Sequence, residues 1–180
     1  MNAQTKTRVA TVWLSGCLGF HMSFLDQDER LLELAEKIQL VYSPIVDVKI
    51  FPENVDITLV EGAVANEEQL ETLKKVRERT KVLISLGDCA VTGNVTGLRN
   101  TVPNSAESAL RRAFVETADV KGRVPDKVPK LLKQTGPLHE YVKVDFYVPG
   151  CPPSADNINY VVTELLAGRT PNMEGRSKYG

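Results

Sequence analysis

Three cysteines are the residues best suited to chemistry in this 180-residue chain: Cys17 in SGCLGF, Cys89 in SLGDCAVTG and Cys151 in YVPGCPPSAD. They lie 72 and 62 positions apart. Structural zinc usually takes cysteines from close knuckles such as Cys-x2-Cys, so this spacing speaks against it. Scattered thiolates suit an iron–sulfur cluster, whose larger core accepts ligands from distant loops. Such a cluster normally asks for four ligands, and the chain supplies three cysteines. The position that would complete a Cys-x-x-Cys pair with Cys17 is Phe20, which cannot ligate iron. The bland alternative is three buried thiols, since free Cys is among the most buried residue types. An odd count in a reducing compartment argues against structural disulfides.

The elements that must hold these residues alternate in type. Residues 9–14 (VATVWL), 57–60 (ITLV), 82–86 (VLISL) and 144–148 (VDFYV) read as short buried strands, and 46–51 (VDVKIF) as an edge strand. Between them, 29–41 carries an apolar helical face of Leu31, Leu34, Ala35, Ile38 and Val41, with Asp26 and Glu29 as a capping box. Asn66, Ser105 and Ser154 stand where they would cap three further helices, and Gly168 ends the last. Alternating strands and helices imply an α/β fold, a flavodoxin-like three-layer sandwich with a central parallel sheet. Residues 1–180 are expected to form one domain, with an irregular insertion at about 119–143 and a tail at about 169–180 that would need a partner surface. All three cysteines then leave the carboxyl ends of strands, the edge of an open parallel sheet where ligands bind. Gly16, Gly19, Gly87 and Gly150 beside them permit close backbone approach, and Pro152 and Pro153 stiffen the turn after Cys151.

Bulk properties narrow the classes. With 42% hydrophobic and 25% charged residues the chain reads as globular, and a net charge of −1 gives no reason to expect nucleic acid or an anionic membrane as partner. No apolar run reaches a membrane-spanning length. The start, MNAQTKTRVATVW, shows neither an apolar signal segment nor a twin arginine, so a cytoplasmic location is expected.

The stretches SGCLGFHMSFLD, VEGAV, SLGDCAVTGN and VDFYVPGCPPSADNI, taken together and in this order, resemble the small subunit of nickel–iron hydrogenases, the cytoplasmic NAD-linked (bidirectional) type above all. The resemblance runs from about residue 9 to residue 169. It implies a flavodoxin-like domain holding one iron–sulfur cluster, [4Fe-4S] in the family, near a Ni–Fe centre that belongs to a large subunit. No catalytic residue is then expected in this chain. Electrons would pass from the large subunit through the cluster toward flavin- and NAD-binding and iron–sulfur diaphorase subunits. Cys17, Cys89 and Cys151 match three family ligands, and Phe20 occupies the position of the fourth. That departure leaves a [3Fe-4S] form, a fourth iron held by another group, or loss of the cluster as alternatives. Glu61 and His21 are the candidate additional ligands, and His139 is given no role beyond partner contact. Met22 and Phe24 would face the large subunit or join the core. Two other readings compete. One is the related cluster subunit of an NADH–quinone oxidoreductase, whose first motif carries adjacent cysteines where this chain has Gly16-Cys17. The other is a flavin-binding flavodoxin-like module.

Overall fold

The computed structural model describes residues 6–177. In chain order its strands and helices are β1 (Thr7–Trp13), α1 (Gly19–Leu25), α2 (Arg30–Lys37), β2 (Ile38–Tyr42), β3 (Val55–Glu61), β4 (Val64–Asn66), α3 (Glu67–Glu78), β5 (Thr80–Leu86), α4 (Asp88–Thr92), α5 (Ser105–Arg111), β6 (Leu131–Gly136), β7 (Phe146–Val148) and α6 (Ala155–Leu166). Five strands form one parallel sheet in the order β2-β1-β3-β5-β7, and β4 pairs with β6 in a small antiparallel ribbon. This is the expected α/β three-layer sandwich.

The continuous apolar strands are buried on both faces, as their composition requires. Ile57, Leu59, Ile84 and Leu86 point to one side, where they meet Phe20, Leu34, Ile158, Val161 and Val162 of α1, α2 and α6. Val60 and Leu83 point to the other, against Leu73 and Val76 of α3. The strand order reverses between β1 and β3, which makes the carboxyl ends of those two strands the switch point at which open α/β sheets bind ligands.

Two local expectations are corrected. The helix expected over 29–41 ends at Lys37, and Ile38 starts a strand at once. Ile38 and Val41 continue the helical spacing by coincidence, and pairing with β1 overrides it. The alternating stretch 46–51 forms no strand, because β2 already occupies that edge of the sheet. Capping is mixed. Asn66 Oδ1 accepts from the Gln69 amide at 2.8 Å and Ser154 Oγ from the Asn157 amide at 3.3 Å, as expected. Asp26 instead ends α1, Glu29 makes no side-chain cap, and Asn104 precedes α5 while Ser105 Oγ donates to the Lys133 carbonyl.

Within 119–143 the chain forms β6 and a 3-10 turn at Leu138–Glu140. The described part of the tail folds back on α6 of its own chain. The Asn157 side chain donates to the Arg176 carbonyl at 2.7 Å, and Arg176 stacks 4.1 Å from the Tyr160 ring centre. No helix among the described residues is long and apolar enough to cross a membrane.

Candidate metal centre

Beyond β1 the chain stays paired with the end of β3: Leu14 donates to the Glu61 carbonyl at 2.8 Å, and Ser15 and Ala63 exchange bonds of 3.0 and 2.8 Å. Gly62 makes this approach feasible. Its φ is +92°, and a Cβ there would sit 2.8 Å from the Ser15 carbonyl. The chain then peels away through Cys17 into α1. On the far side, Asp88 locks the loops after β5 and β7 together. Its amide donates to the Gly150 carbonyl at 2.9 Å, and its carboxylate accepts from the Gly150 amide at 2.6 Å. Gly150 has φ +141°, and a Cβ there would strike Pro153 at 2.6 Å.

These loops bring Cys17, Cys89 and Cys151 around one shallow pocket, with Phe20, Glu61, Leu86, Pro152 and Pro153 as further walls. Cys17 and Cys151 are exposed and Cys89 is half-buried. Burial pushes the Cys89 thiol up, and the neighbouring charges of Cys151, Cys17 and Glu61 add to the effect. Three thiolates gathered around this pocket would call for a cation to neutralise them. Among the described residues no three His, Cys, Asp or Glu side chains are grouped to hold a single metal ion.

Two of the sulfurs also have an N–H donor. The Gly19 amide lies 3.4 Å from Cys17 Sγ and the Asn94 side-chain amide 3.5 Å from Cys151 Sγ. A Cβ on Gly19 would come within 3.1 Å of the Cys17 sulfur, so glycine leaves that amide open to it. Three sulfurs on the walls of one pocket, two of them bonded by an N–H, are a donor set that could hold a thiolate-bound cluster.

Phe20 sits in the first turn of α1 and is 2% exposed. Its ring reaches from the pocket wall into the core, edge-on to His21 at 5.0 Å and tilted against Phe24 at 6.2 Å. His21 is buried beside it with both ring nitrogens engaged, Nδ1 at 2.8 Å from Glu61 Oε2 and Nε2 at 2.9 Å from Thr11 Oγ1. Thr11 in turn donates to Ser43 at 2.9 Å. Glu61 keeps a face on the pocket, whereas the imidazole of His21 is spent on holding Glu61. Phe24 packs against the core and Met22 on the same helix points outward. His139 meets Tyr147 edge-on, with centroids 6.0 Å apart. Sequence reasoning gave no part to Asp88, Asn94 or Thr11. The first two lie in the stretch SLGDCAVTGN, where the DC pair and the TGN turn were the available signals.

Residues 17–165 match the family model described as NADH ubiquinone oxidoreductase, 20 kDa subunit. The delta subunit of the NAD-reducing hydrogenase HoxS from Cupriavidus necator is 43% identical over 174 residues, 93% of this chain and 82% of that protein. A component of the F420-non-reducing hydrogenase vhu from Methanocaldococcus jannaschii is 35% identical over 92% of this chain, which spans 58% of that protein. Among solved structures, a chain of an NAD+-reducing [NiFe]-hydrogenase in the H2-reduced state superposes with a TM-score of 0.92 at 40% identity, covering 98% of this chain and 100% of that one.

Proposed function

The chain belongs to the 20 kDa subunit family of NADH ubiquinone oxidoreductase and, within it, to the hydrogenase small subunits, and from that premise we propose that it is the electron-relay subunit of an NAD-reducing [NiFe] hydrogenase. The observation that carries the reading is the convergence of Cys17, Cys89 and Cys151 on one pocket at the carboxyl edge of the sheet. In this reading the three cysteines hold one iron–sulfur cluster, [4Fe-4S] in type, and the Glu61 carboxylate is the oxygen donor that serves the corner where Phe20 stands. When bound, the cluster supplies a one-electron carrier between the Ni–Fe site of a large subunit and flavin- and NAD-binding diaphorase subunits. The complex works in the cytoplasm.

This chain's residues make the site fit for that task in three ways. Gly19 lets its amide approach the Cys17 sulfur, and the N–H donors at Cys17 and Cys151 offset negative charge gained on reduction. Phe20, Leu86, Pro152 and Pro153 form an apolar lining that limits water. His21 and Thr11 fix the rotamer of Glu61 by two bonds of 2.8 and 2.9 Å in series.

Anaerobic purification of the two-subunit module of this chain and the large subunit, with iron and acid-labile sulfide counted per module and EPR spectra of oxidised and reduced forms, tests the reading. Four cluster irons beside that of the Ni–Fe centre, four acid-labile sulfides and a signal that appears on reduction are expected. A preparation without cluster iron defeats the relay role.

A further inference from the structure

We propose that Asn94 is a positioning residue that sets the potential of the electron carrier, through its side-chain amide bond to the sulfur of Cys151. The inference rests on the cluster reading above. Of the two N–H groups found at the sulfurs, that of Gly19 belongs to the backbone, and Asn94 Nδ2 at 3.5 Å from Cys151 Sγ is the side-chain one. It is therefore the donor that the sequence can tune by a single change without redrawing the loop.

The turn is built to present it. After α4, Gly93 at φ +87° and Asn94 at φ +35° reverse the chain. Asparagine is among the few residues that take a left-handed backbone at low cost. The Asn94 amide bonds Thr92 Oγ1 at 3.3 Å, and Thr96 Oγ1 and the Gly97 amide both bond the Gly93 carbonyl, at 2.5 and 3.0 Å. Arg99 then ties the turn to β6 and β4. Its guanidinium donates to Thr135 Oγ1 at 2.7 Å, to the Leu132 carbonyl at 2.9 Å and to the Ala65 carbonyl at 3.2 Å. One anchored turn thus delivers the side-chain donor to Cys151.

An N–H bond to a ligating sulfur stabilises the more negative, reduced state of the carrier and raises its potential. Loss of the bond must lower it, and a carboxylate at the same place must lower it further by repulsion.

The test compares wild type with Asn94→Gly and Asn94→Asp in the anaerobically purified complex. Glycine accepts φ +35° without strain, so it removes the donor and leaves the turn. Iron content and EPR-monitored midpoint potential are measured together. The expected result is unchanged iron, a lower potential in Asn94→Gly and a still lower one in Asn94→Asp. Loaded variants whose potentials equal that of wild type overturn the role of Asn94 alone. A wild-type complex in which this chain carries no cluster overturns both this inference and the cluster reading.

Discussion

Phe20 is where a single side chain most alters the chemistry of this site. Its ring is 2% exposed and forms part of the core between α1 and the sheet, so on the proposed cluster reading it is a structural residue where a fourth ligand would stand. A three-cysteine site leaves one iron without a thiolate, and a carboxylate such as Glu61 is the weaker anchor for it, since soft thiolates are the preferred cluster ligands. Mild oxidation should therefore release the fourth iron from wild type and produce an oxidised three-iron EPR signal. Phe20→Cys should suppress that signal by supplying the missing thiolate, while costing roughly 2–4 kcal/mol of stability for the lost ring. Phe20→Leu keeps the core filled without a ligand and should behave as wild type. Equal resistance to oxidation in wild type and Phe20→Cys would show that the corner is already firmly held. The sequence displayed the vacancy at position 20 plainly, because Cys-x-x-Cys is a pattern of spacing. It could not display where the ring goes, nor that His21 turns inward to Glu61 and Thr11, because those contacts join residues 40 and 10 positions apart.

At the scale of elements, the weakest join in the sheet is β7, a strand of three residues at the edge. Asp145 secures it. Its amide donates to the Leu83 carbonyl at 2.9 Å, and its carboxylate accepts from the Leu83 amide at 2.9 Å and from Arg77 at 2.5 Å. Burial works against the charged carboxylate, but the Leu83 amide and the Arg77 guanidinium outweigh it and hold Asp145 below its ordinary range. A depressed carboxylate contributes stability that is complete above its unfolded pKa, about 4 for Asp, and that is lost as pH falls through the lower folded value. Asp145→Asn should therefore cost about 1–3 kcal/mol near neutrality and flatten the decline in stability below about pH 4, as read by urea midpoints at several pH values. A wild-type decline that survives in the variant would assign the acid sensitivity to another group. The elements themselves were legible wherever apolar runs were bounded by turns, as in β1, β3, β5 and β7. The α2–β2 junction was not, since Leu31, Leu34, Ile38 and Val41 keep one periodicity across a change of structure that has no glycine or proline to mark it. Alternation at Val46, Val48 and Ile50 misled in the opposite way, because a strand exists only where a neighbouring strand offers hydrogen bonds.

Across the whole molecule, the pocket opens on a face that carries its own apolar residues. Trp13 at the end of β1 is 47% exposed, and Met22 and Leu25 on α1 are 57% and 42% exposed. The net charge of −1 gives little long-range steering toward any partner, so association of this face rests on packing and should depend weakly on salt. A large subunit seated here would bring its metal site to the cysteine edge and bury Met22. Met22→Glu should then prevent the large subunit from co-purifying, because an unpaired charge in such an interface is costly. The side chain stands in solvent in the isolated chain, so its own unfolding free energy should change by no more than about 0.5 kcal/mol. A lysine placed at Ile50, which is 76% exposed in the loop between β2 and β3, serves as the contrast and should leave the complex intact. If Met22→Glu retains the large subunit while Ile50→Lys sheds it, the partner docks on the loop between β2 and β3, and the face around Cys17 is left for the subunits that receive the electron.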